Sequence, residues 1–270
     1  MTHEPSFLRI SRPALLLLLL IIVCGTALRI AYISHEALEG DEIFSRRVVL
    51  LSPPNEIAAI RNDLVHPPLY YFLLQATTRI WGSSPNGIRG YSLLCGIASI
   101  GLIALVGGTL PDGRFVGLLA AALLALNQTY IFYSQEARSY ASYSLLVLLL
   151  VLWVARVTRL SGNQPSFRHW VLGTLLMTML VYTHYVGAIY VGFAVLAILL
   201  SHIPRTRRIA SFVCAAIAAL CFVPWLIAIE GVYNQKHGLG ANLDWEGHPT
   251  IYSLKQVFAS ALGLLEVRGG

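Results

Sequence analysis

Seven apolar segments, at 14–33, 89–109, 115–133, 140–157, 169–184, 186–202 and 209–229, divide this 270-residue chain, and each approaches the length that crosses a bilayer. A chain so divided has one economical fold, a bundle of helices in lipid. Composition agrees: a soluble domain carries about 25% charged residues, whereas here they make up 12%, against 56% apolar. The chain therefore reads as an all-α, polytopic membrane protein with about seven transmembrane helices. The first segment follows Arg9 and Arg12 as a signal peptide would. Its length, the lack of an A-x-A site after it, and Val23 before Cys24 favour a retained, signal-anchor-like helix over a cleaved or lipoprotein leader.

The connectors set the threading. Arg9 and Arg12 precede the first segment, Arg114 sits in "PDGRF", Arg159 and Arg168 flank "SGNQPSF", and "PRTRR" holds Arg205, Arg207 and Arg208. These connectors alternate along the chain and contain only Glu4 and Asp112 as acids, so the positive-inside rule assigns them, with residues 1–13, to the cytoplasm. The net charge of +6 is then an orientation signal, and nucleic-acid binding is not indicated. The remaining connectors are the loop 34–88, the "SQEARS" corner at 134–139, the "THY" corner at 183–185 and the tail 230–270. They share the opposite face and carry nearly every acid.

Counting 67–82 as a crossing would invert all later connectors. It reads instead as an interfacial helix, with Tyr70, Tyr71 and Trp81 at headgroup level. The segment 34–66 has room for one or two short amphipathic helices, with Ser52 or Asn55 as a cap and Pro53 or Pro54 in a first turn. The four cysteines lie in apolar runs without metal or redox spacing and read as buried, inert thiols.

Polar residues on the outer face suggest chemistry. Asp41 and Glu42 are adjacent carboxylates at a low-dielectric boundary, where repulsion and lost hydration raise at least one pKa toward the range of a base. Arg138 has the planar fork of donors that suits a phosphate oxygen, and Glu136 beside it can hold that fork, an acceptor or a metal. His66 precedes two prolines, which restrict its backbone to extended geometry. His184 and Arg89 lie at further outer ends, Arg89 within reach of headgroups or an anionic substrate. Each also has an ordinary structural use, as an ion pair, a core histidine or an interface anchor. Span interiors hold little charge beyond Arg29.

With these pieces in order, the chain resembles the GT-C glycosyltransferases, more closely the bacterial branch related to the protein O-mannosyltransferases (family 39) and to the lipid A aminoarabinose and rhizobial galacturonosyl transferases. The residues that carry the resemblance are "GDE" (40–42), "HPPLYY" (66–71), "IRGYSLLCG" (88–96), "YSQEARSYA" (133–141), "YTHYVG" (182–187) and "VPWLIAI" (223–229). The resemblance implies a membrane enzyme that moves a sugar from a polyprenyl-phosphate donor to an acceptor hydroxyl, with inversion, on the periplasmic side of a bacterial inner membrane. The acceptor would be lipid A, a protein or a glycan. It implies Asp41, with Glu42 beside it, as the catalytic base. Donor-phosphate binding falls to His66, Arg138 and Arg89, and supporting roles to Glu136, His184 and Tyr70. No residue spacing demands a metal, although Mg or Mn would have ligands if Asp41, Glu42 and Glu136 converged. Relatives carry further spans, so the chain is expected to be truncated at its C-terminus. A lipid-linked-sugar transporter and an inactive scaffold are the alternatives.

Overall fold

The computed structural model of the protein describes residues 11–31, 33, 37–159 and 165–235. Among these lie eleven α-helices and no strand. The expected N-terminal segment 1–13 falls mostly outside the described residues, and so does most of the tail 230–270. Helices occupy all seven expected places: α1 (Arg12–Ala31), α5 (Pro85–Gly107), α6 with α7 (Gly113–Leu126, Gln128–Ser134), α8 (Tyr140–Arg159), α9 (Phe167–Thr183), α10 (Gly187–Leu200) and α11 (Arg205–Gln235).

Length and apolarity single out fewer crossings than the seven expected. Four of the helices, α1, α5, α8 and α11, are long and apolar enough to span, and a fifth span exists if α6 and α7 count as one. The 17 residues of α9 lie at the lower limit for a crossing, and the 14 of α10, about 21 Å long at 1.5 Å per residue, fall below it. The chain is a multi-pass membrane protein all the same.

The segment 115–133, expected as one span, is not one continuous helix. It breaks at Asn127, and α7 leaves α6 at 66°. Asn127 holds an extended conformation and its Oδ1 accepts the Tyr130 N–H at 2.8 Å. A short amide that caps a new helix competes with continuation of the old one. "NQT" inside an apolar run was the signal.

The loop between α1 and α5 folds into α2 (Gly40–Val49), α3 (Pro53–Asp63) and α4 (Leu69–Trp81). Ser52 occupies the N-cap of α3, with prolines in its first turn, where a missing N–H leaves no gap in the ladder. That helix ends at Leu64, left-handed at φ 63°. For a residue with a Cβ this conformation costs about 1–2 kcal/mol, and burial of the Leu64 side chain offsets it. The turn delivers His66 to Pro67.

Three apolar clusters hold the bundle. Ile100, Ala121 and Ala125 join α5 and α6 beside α1. Leu150, Trp153, Met177, Leu180, Ile198 and Ala218 join α8 through α11. The third cluster fastens the loop helices to the end of the bundle through Val48, Ile60, Tyr70, Tyr71, Leu74 and Trp225. Burial of such a side chain from water contributes about 1.5–3 kcal/mol, so α2 to α4 form a packed cap.

Of the cysteines, Cys95 and Cys214 are buried as expected, but Cys24 and Cys221 are exposed on the outside of the bundle.

Helices α5 and α6 approach through glycine. A Cβ on Gly107 would sit 2.6 Å from the Gly117 Cα and 2.8 Å from its nitrogen, both backbone atoms that cannot yield. Gly107→Ala is expected to destabilise by about 1–3 kcal/mol, as overpacking does, seen as a lower midpoint in heat-and-size-exclusion profiles in detergent. Gly192→Ala in α10, where a new Cβ meets nothing within 4 Å, serves as the neutral control. Equal midpoints for the two variants would contradict the packing.

Candidate active site

Glycine 40 opens α2, so Asp41 and Glu42 fall on its first turn. Successive helical residues point about 100° apart, and the two carboxylates diverge. Glu42 turns inward and is 1% exposed. Its Oε1 accepts Arg89 Nε (2.8 Å) and the backbone N–H of Ala137 (2.8 Å), while Oε2 accepts Arg89 Nη2 (2.6 Å) and the Glu39 N–H (3.3 Å). Arg89 also donates to the carbonyls of Ile33 (2.8 Å) and Ala37 (3.3 Å). One buried carboxylate thus ties α2, α5, the end of the α1 connector and the 135–139 corner.

Asp41 turns outward with its side chain 71% exposed, and its Oδ2 lies 3.0 Å from Arg138 Nη2. Arg138 is buried, and its Nε has no hydrogen-bond partner. Its carbonyl accepts from Ser92 Oγ (3.1 Å), which fixes the corner against α5. His66 is 4% exposed with both ring nitrogens unpartnered. Its ring meets His184 edge-on at 4.9 Å and Tyr140 at 6.3 Å. Burial, then the charges of Arg138 and His184, push the imidazole down to about 2, so His66 is a neutral donor and acceptor at working pH. Burial and Arg138 also lower His184, whose Nδ1 accepts the Val186 N–H at 3.2 Å. Tyr70 is buried below, its ring 5.5 Å from that of Tyr71.

The four polar corners therefore meet: "GDE" with "QEAR" through Asp41–Arg138 and Glu42–Ala137, "HPP" with "THY" through His66–His184, and the two pairs through His66–Tyr140. Ser139 was missed in the sequence. It is buried beside Arg138 with an unpartnered Oγ, and nothing in a lone serine singles it out. Together Arg138 Nε, Ser139 Oγ and His66 offer donors that an anion can accept. An open groove of about 180 Å³, lined by Ile103, Leu124, Tyr130, Tyr143 and Tyr190 among others, adjoins this cluster. Tyr143 joins the two, its ring 5.3 Å from that of His184.

A shared divalent ion does not fit. Both oxygens of Glu42 are engaged by Arg89 and backbone N–H groups, and among the described residues no three His, Cys, Asp or Glu side chains are grouped to hold a metal.

Glu136 is a carboxyl that its surroundings push up, to about 7, by burial and then by Glu42 and Glu39. Its ordinary value is 4.5, so the folded state holds the proton more tightly than the unfolded chain. Stability from this group is therefore present below about pH 4.5 and lost as pH rises to about 7. Glu136→Gln is expected to flatten the fall in melting midpoint between about pH 5 and 8 and to exceed wild type at the upper end. Parallel pH curves would contradict this.

A family model described as dolichyl-phosphate-mannose-protein mannosyltransferase matches residues 65–227, which take in His66, Arg89, Glu136, Arg138 and His184. No curated protein and no solved structure matches the chain.

Proposed function

Since the chain belongs to the dolichyl-phosphate-mannose-protein mannosyltransferase family, a family of membrane glycosyltransferases of the GT-C type, we propose that it transfers a sugar from a polyprenyl-phosphate donor to an acceptor hydroxyl on the extracytoplasmic face of a bacterial inner membrane. One observation carries the proposal. The exposed carboxylate of Asp41 is held 3.0 Å from Arg138, whose Nε, like both nitrogens of His66, is buried without a partner.

That arrangement divides the labour of the reaction. The bond from the anomeric carbon to the phosphate oxygen breaks, and the phosphate leaves with the electron pair. Phosphate is already a competent leaving group, so it requires donors aimed at its growing charge. Arg138, His66 and Ser139 supply them. The acceptor oxygen attacks from the opposite side, which inverts the centre, and its proton passes to an oxygen of Asp41. Glu42 and Arg89 act as positioning residues, because their charges are spent on each other. Glu136 and His184 shape the pocket, Tyr70 packs with Tyr71 and Tyr91 in its support, and the groove at Tyr143 receives the first isoprene units of the carrier. Apart from Arg207, the buried charges of the described residues gather toward one end of the bundle, which favours transfer over transport, since a carrier needs polar groups along a path.

Separate titration of donor and acceptor tests the assignment. Arg138→Lys keeps the charge but loses the fork, and is expected to raise the donor KM about tenfold, the worth of a charge-assisted hydrogen bond, with the acceptor KM unchanged. Equal change in both constants, or none, would remove Arg138 from the donor site.

A further inference from the structure

Arg29 has no part in the mechanism above, yet it is the most completely buried cation among the described residues, at 0% exposure near the end of α1. We propose that Arg29 is a positioning residue for Arg138: it holds the broken helix α6–α7 in its bent form and so fixes the place of the 135–139 corner.

The break at Asn127 ends α6 at Leu126, so the carbonyls of Leu124 and Ala125 lose the donors that a continuous helix supplies. Where water is absent, such groups must find other partners. Arg29 provides them: Nη2 donates to Leu124 O (3.1 Å) and Nη1 to Ala125 O (3.1 Å) and Gly25 O (2.9 Å). The same guanidinium reaches the far end of α7. Its Nε donates to Ser134 Oγ (3.2 Å), which in turn donates to Tyr130 O (2.6 Å), and its carbon lies 5.8 Å from the centre of the Tyr130 ring. The backbone joins in, because the Arg29 carbonyl accepts from Gln135 Nε2 at 2.8 Å.

The C-terminal ends of α6 and α7, and Gln135 three residues before Arg138, are thus fixed to one arginine. The space is made for it. A Cβ on Gly25 would lie 3.4 Å from Arg29 Nη1 and 2.7 Å from Ile100 Cδ1, and one on Gly96 would overlap the Ser134 hydroxyl. Lysine, a point charge on a flexible stem, cannot span two carbonyls and a hydroxyl with one planar fork.

The functional half of this inference rests on the proposed transfer reaction, so the experiment has two arms on the full chain in nanodiscs. In the first, hydrogen–deuterium exchange compares wild type with Arg29→Lys. Amides 128–138 are expected to exchange about tenfold faster, with those of 85–107 and 140–159 unchanged, as local opening requires. In the second, donor KM is measured in a cycle with Arg138→Lys. Arg29→Lys alone is expected to raise donor KM about tenfold, and to add less than about twofold when Arg138 is already lysine, since coupled sites do not add. Gln135→Ala, which removes only the backbone grip, is expected to move both readouts the same way by a smaller factor. Unchanged exchange at the corner, a uniform rise across the bundle, or losses that multiply in the cycle would overturn the proposal. If wild type transfers nothing, the reaction assignment fails and the exchange arm decides Arg29 alone.

Discussion

Asp41→Asn is expected to lower kcat for sugar transfer by about 10²–10⁴-fold, the range that one positioned general base contributes, while the protein stays folded and donor KM holds. The substitution keeps the size of the side chain and an oxygen that Arg138 Nη2 can reach, so the corner keeps its shape. What disappears is the carboxylate proposed to take the acceptor proton. Stability should change by less than about 1 kcal/mol, because an ion pair with one member largely in water contributes little. Asp41 is that member, with a side chain 71% exposed. A split between unchanged melting and lost turnover separates a base from a structural carboxylate. Equal turnover in the two proteins, with matched melting profiles, would strip Asp41 of its role.

For Glu42→Ala the expected effect is on the fold: a loss of about 3–5 kcal/mol, the usual consequence of removing one partner from a buried ion pair. Arg89 would be left in a nearly dry site without its carboxylate, and the Ala137 N–H without its acceptor. Replacing the pair with Glu42→Leu and Arg89→Leu together is expected to be milder than the sum of the single changes. Apolar residues of similar volume often match a buried pair. The recovery should be partial, since the carbonyls of Ile33 and Ala37 also lose the arginine. Melting midpoints of the three variants measure it. Additive losses would show that the two residues do not act as a unit.

Much of this arrangement was legible in one dimension. Apolar segments and alternating Arg-rich connectors are signals of composition, so the places of all seven helical segments and the gathering of four polar corners followed from them. The structure brings those corners into contact. Helix length was less legible for α10, which covers 187–200 of the expected 186–202, whereas α9 ends at the "THY" corner as its segment does. The divergence of Asp41 and Glu42 required knowing that α2 starts at Gly40, because a shift of one residue would exchange their faces. Partners 47 residues apart, as for Glu42 and Arg89, or 96 apart, as for Arg29 and Ala125, leave no local trace. The break at Asn127 did leave one, in a capping residue inside an apolar run. Ser139 left none, since its significance lies in what surrounds it.

The most direct measurement is transfer by the purified chain from a polyprenyl-phosphate sugar and, in parallel, from the corresponding nucleotide sugar, with the anomeric configuration of the product read by NMR. The predicted result is an inverted product from the lipid-linked donor and none from the nucleotide. Folded protein that ignores the lipid-linked donor, or that accepts the nucleotide sugar instead, would contradict the account.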